Sequence, residues 1–359
     1  GDRACRKHKS DRARNITQNA KAPPMHMIHI ARTSCEKLMP PAFREKLREL
    51  GDLDIVENAA GMSEAEVAER MRQADVVLGG WGTVSAPDSL AEEPGRVRYF
   101  CSISGSVRGF VSAAHIDSGI PVTNWGDMPA HEVAEGAMTL LLATLKGLHA
   151  NIVSVRNGGG SDTPNRNGGT LRGLKVGIYG FGTIGRKFAE MLHPFECEMR
   201  VFDPFVTDLP EYVTPVDSLQ ELFAHCDAIA IHAGLNDHTR KTVTAELLAL
   251  LPDHGIIVNT ARGDIIDQDA LFAELESGRL RAGLDVLAAP ENLPPDHPAR
   301  TWQNLIWTCH DITRGWPDDG AHGEQLHPMH VICLDNLKRF RDGRPLRYVM
   351  DKEQFERST

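Results

Sequence analysis

The chain has 359 residues, 41% hydrophobic and 25% charged, which suits two globular domains better than one small one. A formal charge of −10 disfavours nucleic acid as the main partner, because binding phosphates needs a basic face. Seven scattered cysteines with no C-x-x-C pair make neither a disulfide framework nor a zinc site and fit a reducing cytoplasm, and no apolar run reaches the roughly 18–20 residues of a membrane span.

Residues 1–24 stand apart: seven Lys/Arg face only Asp2 and Asp11, apolar residues are few, and a disordered basic tail is expected. From Met25 the pattern alternates. Strands are predicted at Met25–Ala31, Asp54–Val56, Val76–Gly80, Val97–Ser102 and Ile120–Thr123, with helices at Phe43–Leu50 and Ser63–Gln73. Such alternation predicts a parallel sheet covered on both faces, here over about 25–125. Asp127–His149 reads as one long apolar helix, and Asn157–Thr170, rich in glycine, as a mobile loop or hinge.

A second alternation begins at Leu174. Its predicted strands are Val176–Tyr179, Met199–Phe202, Ala228–Ile231, Gly255–Asn259, Gly283–Val286 and Leu305–Thr308. Its helices are Ile184–Leu192, Leu219–Ala224, Ala245–Leu251 and Gln268–Ser277. The last helix, His327–Phe340, is expected to return to the first unit. The fold class is therefore α/β, with two doubly wound parallel-sheet domains and a cleft between them.

Gly180-Phe181-Gly182-Thr183-Ile184-Gly185 is a G-x-G-x-x-G run between a strand and a helix, and 18 residues past Gly185 the next strand ends at Asp203. Gly180 allows the tight turn, Gly182 lets backbone approach a pyrophosphate, and Gly185 lets helix pack on strand. The helix N-terminus offers free N–H groups and a positive dipole end to the phosphates. Asp203 can accept hydrogen bonds from both ribose hydroxyls and would repel a 2′-phosphate, so NAD is expected over NADP.

Three further motifs follow strand ends: Asn259-Thr260-Ala261-Arg262-Gly263, the run from Asp285-Val286 to Glu291-Asn292-Leu293-Pro294, and Thr308-Cys309-His310. On these the chain resembles the D-isomer-specific 2-hydroxyacid dehydrogenase family, from about residue 76 to 350. The resemblance implies a Rossmann-type domain at 126–309 inserted into a flavodoxin-like substrate domain made of 25–125 and 310–350. It implies a catalytic Arg262, Glu291 and His310. Arg262 would hold a 2-oxo-carboxylate in a fork and polarise its carbonyl. His310 would be the acid/base and Glu291 would orient it, provided one inserted residue near Ala289 is allowed. Cys309 stands where the family has proline.

The implied cofactor contacts are Gly180, Phe181, Gly182, Thr183, Ile184, Asp203, His232, Thr239, Thr260, Ala261, Arg262, Asp285 and His310. For Asp285 a strand-end acid capping the next turn is the alternative, and for His232 and Thr239 a purely structural role. Ser104, Gly105 and Ser106 occupy the substrate loop, where successive N–H groups can cradle a carboxylate, together with Arg262 and His310. Arg108 could meet a second anionic group or be a surface cation. No metal is expected: His131-Glu132 lacks a histidine at i+4, and His327, His330 and Cys333 lack a fourth ligand and fit a packing helix.

The expected activity is NAD(H)-dependent interconversion of a small 2-oxo acid and its D-2-hydroxy acid, of the glyoxylate or hydroxypyruvate reductase kind, by a cytoplasmic homodimer. The chain ends about ten residues after Met350, so no further regulatory domain is expected. An NAD-sensing, corepressor-like binding protein on the same scaffold is the alternative.

Overall fold

The structure, a computed structural model, describes residues 24–160, 168–312 and 326–357. The expected basic tail (except Pro24) and the centre of the 157–170 loop lie outside these residues.

Strands β1 (Met25–Ile30), β2 (Gly51–Val56), β3 (Val76–Gly79), β4 (Tyr99–Ser102) and β5 (Val122–Thr123) form a parallel sheet in the order β2-β1-β3-β4-β5. This is the flavodoxin-like order. Side chains alternate across it: Met25, Met27, Tyr99 and Cys101 enter one core layer, and Ile28, Ile30 and Phe100 the other. Helices α1 (Pro41–Arg48), α2 (Glu64–Arg72), α3 (Ser89–Glu92) and α4 (Ala113–Asp117) connect the strands. The start of α2 is fixed by a capping box, with the Glu66 carboxylate taking the Ser63 N–H at 2.9 Å.

The long helix expected at Asp127–His149 is in fact two, α5 (Ala130–Leu145) and α6 (Leu148–Arg156), meeting at 59°. Gly147 takes φ +61°, a left-handed conformation that ends a helix. Helix α5 is mostly buried, whereas α6 buries none of its residues. Among the described residues no single helix is long and apolar enough to cross a membrane.

The second sheet contains β6 (Lys175–Tyr179), β7 (Glu198–Phe202), β8 (Val213–Pro215), β9 (Ala228–Ile231), β10 (Ile256–Asn259), β11 (Arg281–Leu284) and β12 (Leu305–Trp307), all parallel, in the order β12-β11-β10-β9-β6-β7-β8. Counted from β6 this is the Rossmann order 3-2-1-4-5-6 with β12 added, and its switch point lies between β6 and β9. Helices α7 (Thr183–Leu192), α8 (Leu219–Ala224), α9 (Ala245–Leu248) and α10 (Gln268–Glu276) fill the crossovers. Strand β8 carries no periodic signal and contains Pro215, which an edge strand tolerates. The strand expected at Gly283–Val286 runs Arg281–Leu284 instead, leaving Asp285 just beyond its end.

Helix α11 (Pro328–Arg341) packs on the first sheet, burying Met329, Cys333, Leu334 and Leu337 in the layer that holds Met27 and Tyr99. His330 stacks on Phe43 at 4.3 Å, with Nε2 3.0 Å from the Leu38 carbonyl, so the His327–Cys333 spacing is that of a packing face. The chain then bridges β5 through Val349 and Thr123 and ends in α12 (Lys352–Arg357).

Candidate active site

The glycine loop sits at the switch point. Gly180 has φ +93°, and a Cβ there would lie 2.5 Å from the Ala233 amide at the end of β9; one at Gly185 would lie 2.3 Å from the Gly180 carbonyl. The protein's own packing demands both glycines. At Gly182 a Cβ would meet nothing within 4 Å, so the side-chain space there is left to something other than this chain. Gly182 and Thr183 are exposed at the N-terminus of α7, Ile184 is half-buried, and Phe181 is buried beneath the Arg186 guanidinium. An open cradle at a helix N-terminus fits a pyrophosphate.

Asp203 follows β7. Its Oδ2 accepts the Phe181 N–H at 2.7 Å and its Oδ1 the Phe205 N–H at 2.9 Å, and among the described residues no cation pairs with it. Such a carboxylate welcomes hydroxyls and repels a phosphate. His232, just past β9, lies against Phe188 at 4.8 Å with both ring nitrogens buried and unpartnered among the described residues, which leaves their hydrogen-bonding capacity unused. Burial pushes its pKa down to about 3, so the ring is neutral. The Thr239 hydroxyl accepts the Asn236 N–H at 2.8 Å and donates to the Gly234 carbonyl at 2.6 Å, closing its own loop.

At the end of β10, the buried Asn259 clamps the turn that carries Arg262. Its Nδ2 donates to the Arg262 carbonyl at 2.9 Å and its Oδ1 accepts the Ala261 N–H at 2.9 Å. An asparagine closing a strand ahead of a turn is the sequence signal for such a clamp. Thr260 is buried with its hydroxyl unpartnered among the described residues. The half-buried Arg262 anchors one nitrogen on the Ala261 carbonyl at 2.7 Å. Burial lowers its pKa from the usual arginine value, and the charge of Glu291 opposes that shift.

His310 sits on a turn tied to β11 by one carboxylate. Asp285 is fully buried, and its Oδ1 accepts the Thr308 hydroxyl at 2.6 Å and the N–H groups of Asp311 and Ile312 at 2.9 and 3.1 Å. These bonds are those of the strand-end capping role, and they fix the turn that carries His310. Cys309 and His310 take φ +55° and +60°. A proline ring locks φ near −65°, so cysteine is compatible with this turn where the family's proline is not.

Glu291 and His310, 19 positions apart, meet at 2.9 Å, Oε2 to Nδ1, both about half exposed. The loop that leads to Glu291 is pinned by the Ala288 N–H donating to Gln268 Oε1 at 2.8 Å. Segments that follow β11 and β12 thus bring Glu291 and His310 together, and the Glu291 charge acts on Arg262 past β10.

In the substrate loop Ser104 is fully buried, its hydroxyl 3.4 Å from that of Ser102, so only backbone is available there. Among the described residues the N–H groups of Gly105 and Ser106 carry no hydrogen bond, and the Gly105 carbonyl is held by Asn124 Nδ2 at 2.7 Å. Arg108 donates to the carbonyls of Phe355 and Glu356 at 3.0 and 2.7 Å and covers the Phe355 ring, the surface role of the two considered. His131 pairs along α5 with Glu135 at 3.2 Å. Among the described residues no three His, Cys, Asp or Glu side chains gather as a metal site would require.

Residues 138–311 match the model of the D-isomer specific 2-hydroxyacid dehydrogenase NAD binding domain. The chain is 31% identical over 308 residues to a D-3-phosphoglycerate dehydrogenase of Methanocaldococcus jannaschii; the match covers 84% of this chain and spans 56% of that relative. It is 32% identical over 234 residues to the human glyoxylate reductase/hydroxypyruvate reductase, covering 64% of this chain and 69% of that one. A 2-hydroxyacid dehydrogenase structure from Ketogulonicigenium vulgare superposes with a TM-score of 0.75 over 92% of this chain and 99% of its own, at 21% identity, which shows the shared fold. The stretch 138–311 matched by the family model spans the glycine loop and Arg262, Glu291 and His310, and the chain belongs to the D-isomer specific 2-hydroxyacid dehydrogenase family.

Proposed function

We propose that this protein is an NAD(H)-dependent oxidoreductase interconverting a 2-oxo acid and its D-2-hydroxy acid. The observation that carries the reading is the 2.9 Å contact of His310 with Glu291, whose carboxylate charge also acts on Arg262. The open Gly182, the exposed start of α7, Asp203 and the unpartnered His232 nitrogens fit a dinucleotide. Bound NADH supplies the hydride.

The chain's own residues do the rest. Arg262 grips the carboxylate with donors left over from its Ala261 anchor and draws electron density from the carbonyl. Because His310 presents Nδ1 to Glu291, its Nε2 is the atom that gives the proton to the carbonyl oxygen in reduction and takes it back in oxidation. Glu291 holds the ring in that orientation. The N–H groups of Gly105 and Ser106 hold the far end of the carboxylate. Thr260, Ala261 and His310 edge the cofactor site, and Asp203 selects NAD over NADP.

Glyoxylate and hydroxypyruvate are the first substrates to test. A homodimer fits α6, whose Leu148, Ile152 and Val155 are 49%, 41% and 65% exposed at i, i+4 and i+7 on a helix that buries nothing in its own chain. The deciding experiment is NADH consumption by purified protein against glyoxylate, hydroxypyruvate and pyruvate, with NADPH in parallel. Turnover that vanishes in Arg262→Ala supports the assignment. NADH binding without turnover of any acid would replace it with a sensor.

A further inference from the structure

Two tryptophans stand at the rim of the Gly105–Ser106 loop. Trp81, between Gly80 and Gly82 just past β3, is 55% exposed and meets Trp125 edge to face, with ring centroids 5.3 Å apart and planes at 77°. Trp125 lies directly on the loop: a Cβ at Gly105 would be 2.1 Å from its Nε1, which is why glycine stands there. From the other side, a Cβ at Gly80 would be 3.2 Å from Ser104 Oγ. The two indoles and the unused N–H groups therefore share one corner. The Trp81 loop is held in place by the Arg32 N–H on the Gly82 carbonyl at 2.8 Å and Arg32 Nε on the Thr83 carbonyl at 3.1 Å.

The charges at this corner are committed elsewhere. Arg32 is bound to Thr83 and Ser85, and Arg108 to the carbonyls of Phe355 and Glu356. A substrate carrying a second anionic group finds both arginines engaged, whereas a flat apolar substituent finds an exposed indole face on a fixed loop.

We propose that Trp81 determines specificity by packing against the C2 substituent of the substrate, and that the preferred substrates are 2-oxo acids with an apolar, aryl-bearing substituent. This rests on the 2-oxo acid reaction above. Aromatic pairs favour offset or edge-to-face packing and add to simple burial, while a small polar acid such as glyoxylate has nothing to place there. Selectivity from such a contact is about tenfold or more.

The test compares kcat/KM for phenylpyruvate, glyoxylate and 3-phosphohydroxypyruvate with NADH, in the wild type, Trp81→Ala and Trp81→Phe. The wild type is expected to favour phenylpyruvate over both other acids by at least about tenfold. Trp81→Ala is expected to shrink the phenylpyruvate-to-glyoxylate ratio about tenfold, and Trp81→Phe to restore most of it. A wild type that favours glyoxylate or the phosphorylated acid overturns the proposal, whether or not the variants fold. So does a Trp81→Ala enzyme whose ratio is unchanged or raised, which would make Trp81 a wall against bulk. Absence of turnover with every acid overturns the reaction itself and the specificity with it; turnover favouring glyoxylate overturns the specificity alone.

Discussion

Alanine at two glycines of the same loop should do opposite things. At Gly180, φ is +93° and the new methyl would meet the Ala233 amide at 2.5 Å, a backbone atom that cannot rotate away. A left-handed conformation costs a non-glycine residue roughly 1–2 kcal/mol, and the clash adds to it, so Gly180→Ala should lose about 2–3 kcal/mol. For a domain of this size that lowers Tm by roughly 5–10 °C. At Gly182 the backbone is extended and nothing lies within 4 Å, so Gly182→Ala should melt within about 2 °C of wild type or slightly above it. It should nonetheless bind NADH about 10- to 100-fold more weakly, because the methyl fills the space through which the pyrophosphate reaches the amides. Thermal unfolding followed by fluorescence, with NADH titrations on the same samples, reads both effects. If Gly182→Ala kept wild-type affinity, or melted as low as Gly180→Ala, the division of labour in this loop would be refuted.

Glu291→Gln should lower kcat roughly 10- to 100-fold with KM changed only a few-fold, since it orients a proton donor and does not grip substrate; an unchanged kcat would mean His310 works without it. Asp203→Ala should raise the ratio of NADPH to NADH activity about tenfold by removing the repelling charge, and a constant ratio would place cofactor choice elsewhere. Burial pushes His330 from its ordinary pKa of 6.5 down to about 4, so the unfolded chain binds that proton first. Stability from this group is therefore complete above about pH 6.5 and lost as pH falls towards 4, a loss of about 3.5 kcal/mol. The urea midpoint should fall across that window, less steeply in His330→Gln. Equal slopes would assign the acid sensitivity to other groups.

Most of the fold was legible because strands buried on both faces leave apolar runs, and because caps such as Ser63 with Glu66 mark helix starts. The glycine loop and Asp203 were legible because the backbone needs glycine at Gly180 and Gly185 whether or not a ligand is present. The break between α5 and α6 was not, since apolar residues continue past Gly147 and only its left-handed φ betrays the bend. Glu291 depended on allowing a one-residue insertion, which strand spacing cannot decide, whereas its 2.9 Å contact with His310 is visible only in the folded loop. Asp285 shows the other limit. Sequence put an acid at a strand end, and only coordinates show that it caps the turn that carries His310. The two tryptophans left no signal at all, because Trp81 belongs to no periodic element and meets Trp125 only through tertiary contact.

The path of the chain has a consequence for the order in which the protein is made. Every strand of the second sheet lies between Lys175 and Trp307, one contiguous stretch that can close as soon as it has been synthesised. The first sheet is drawn earlier but finished last. Met27, Tyr99 and Cys101 wait for Met329, Cys333 and Leu337 of α11, and Thr123 waits for Val349. On the ribosome an uncovered apolar sheet face therefore trails behind while a complete domain folds after it, and the nascent chain should draw on chaperones at its N-terminal third until its last helix emerges.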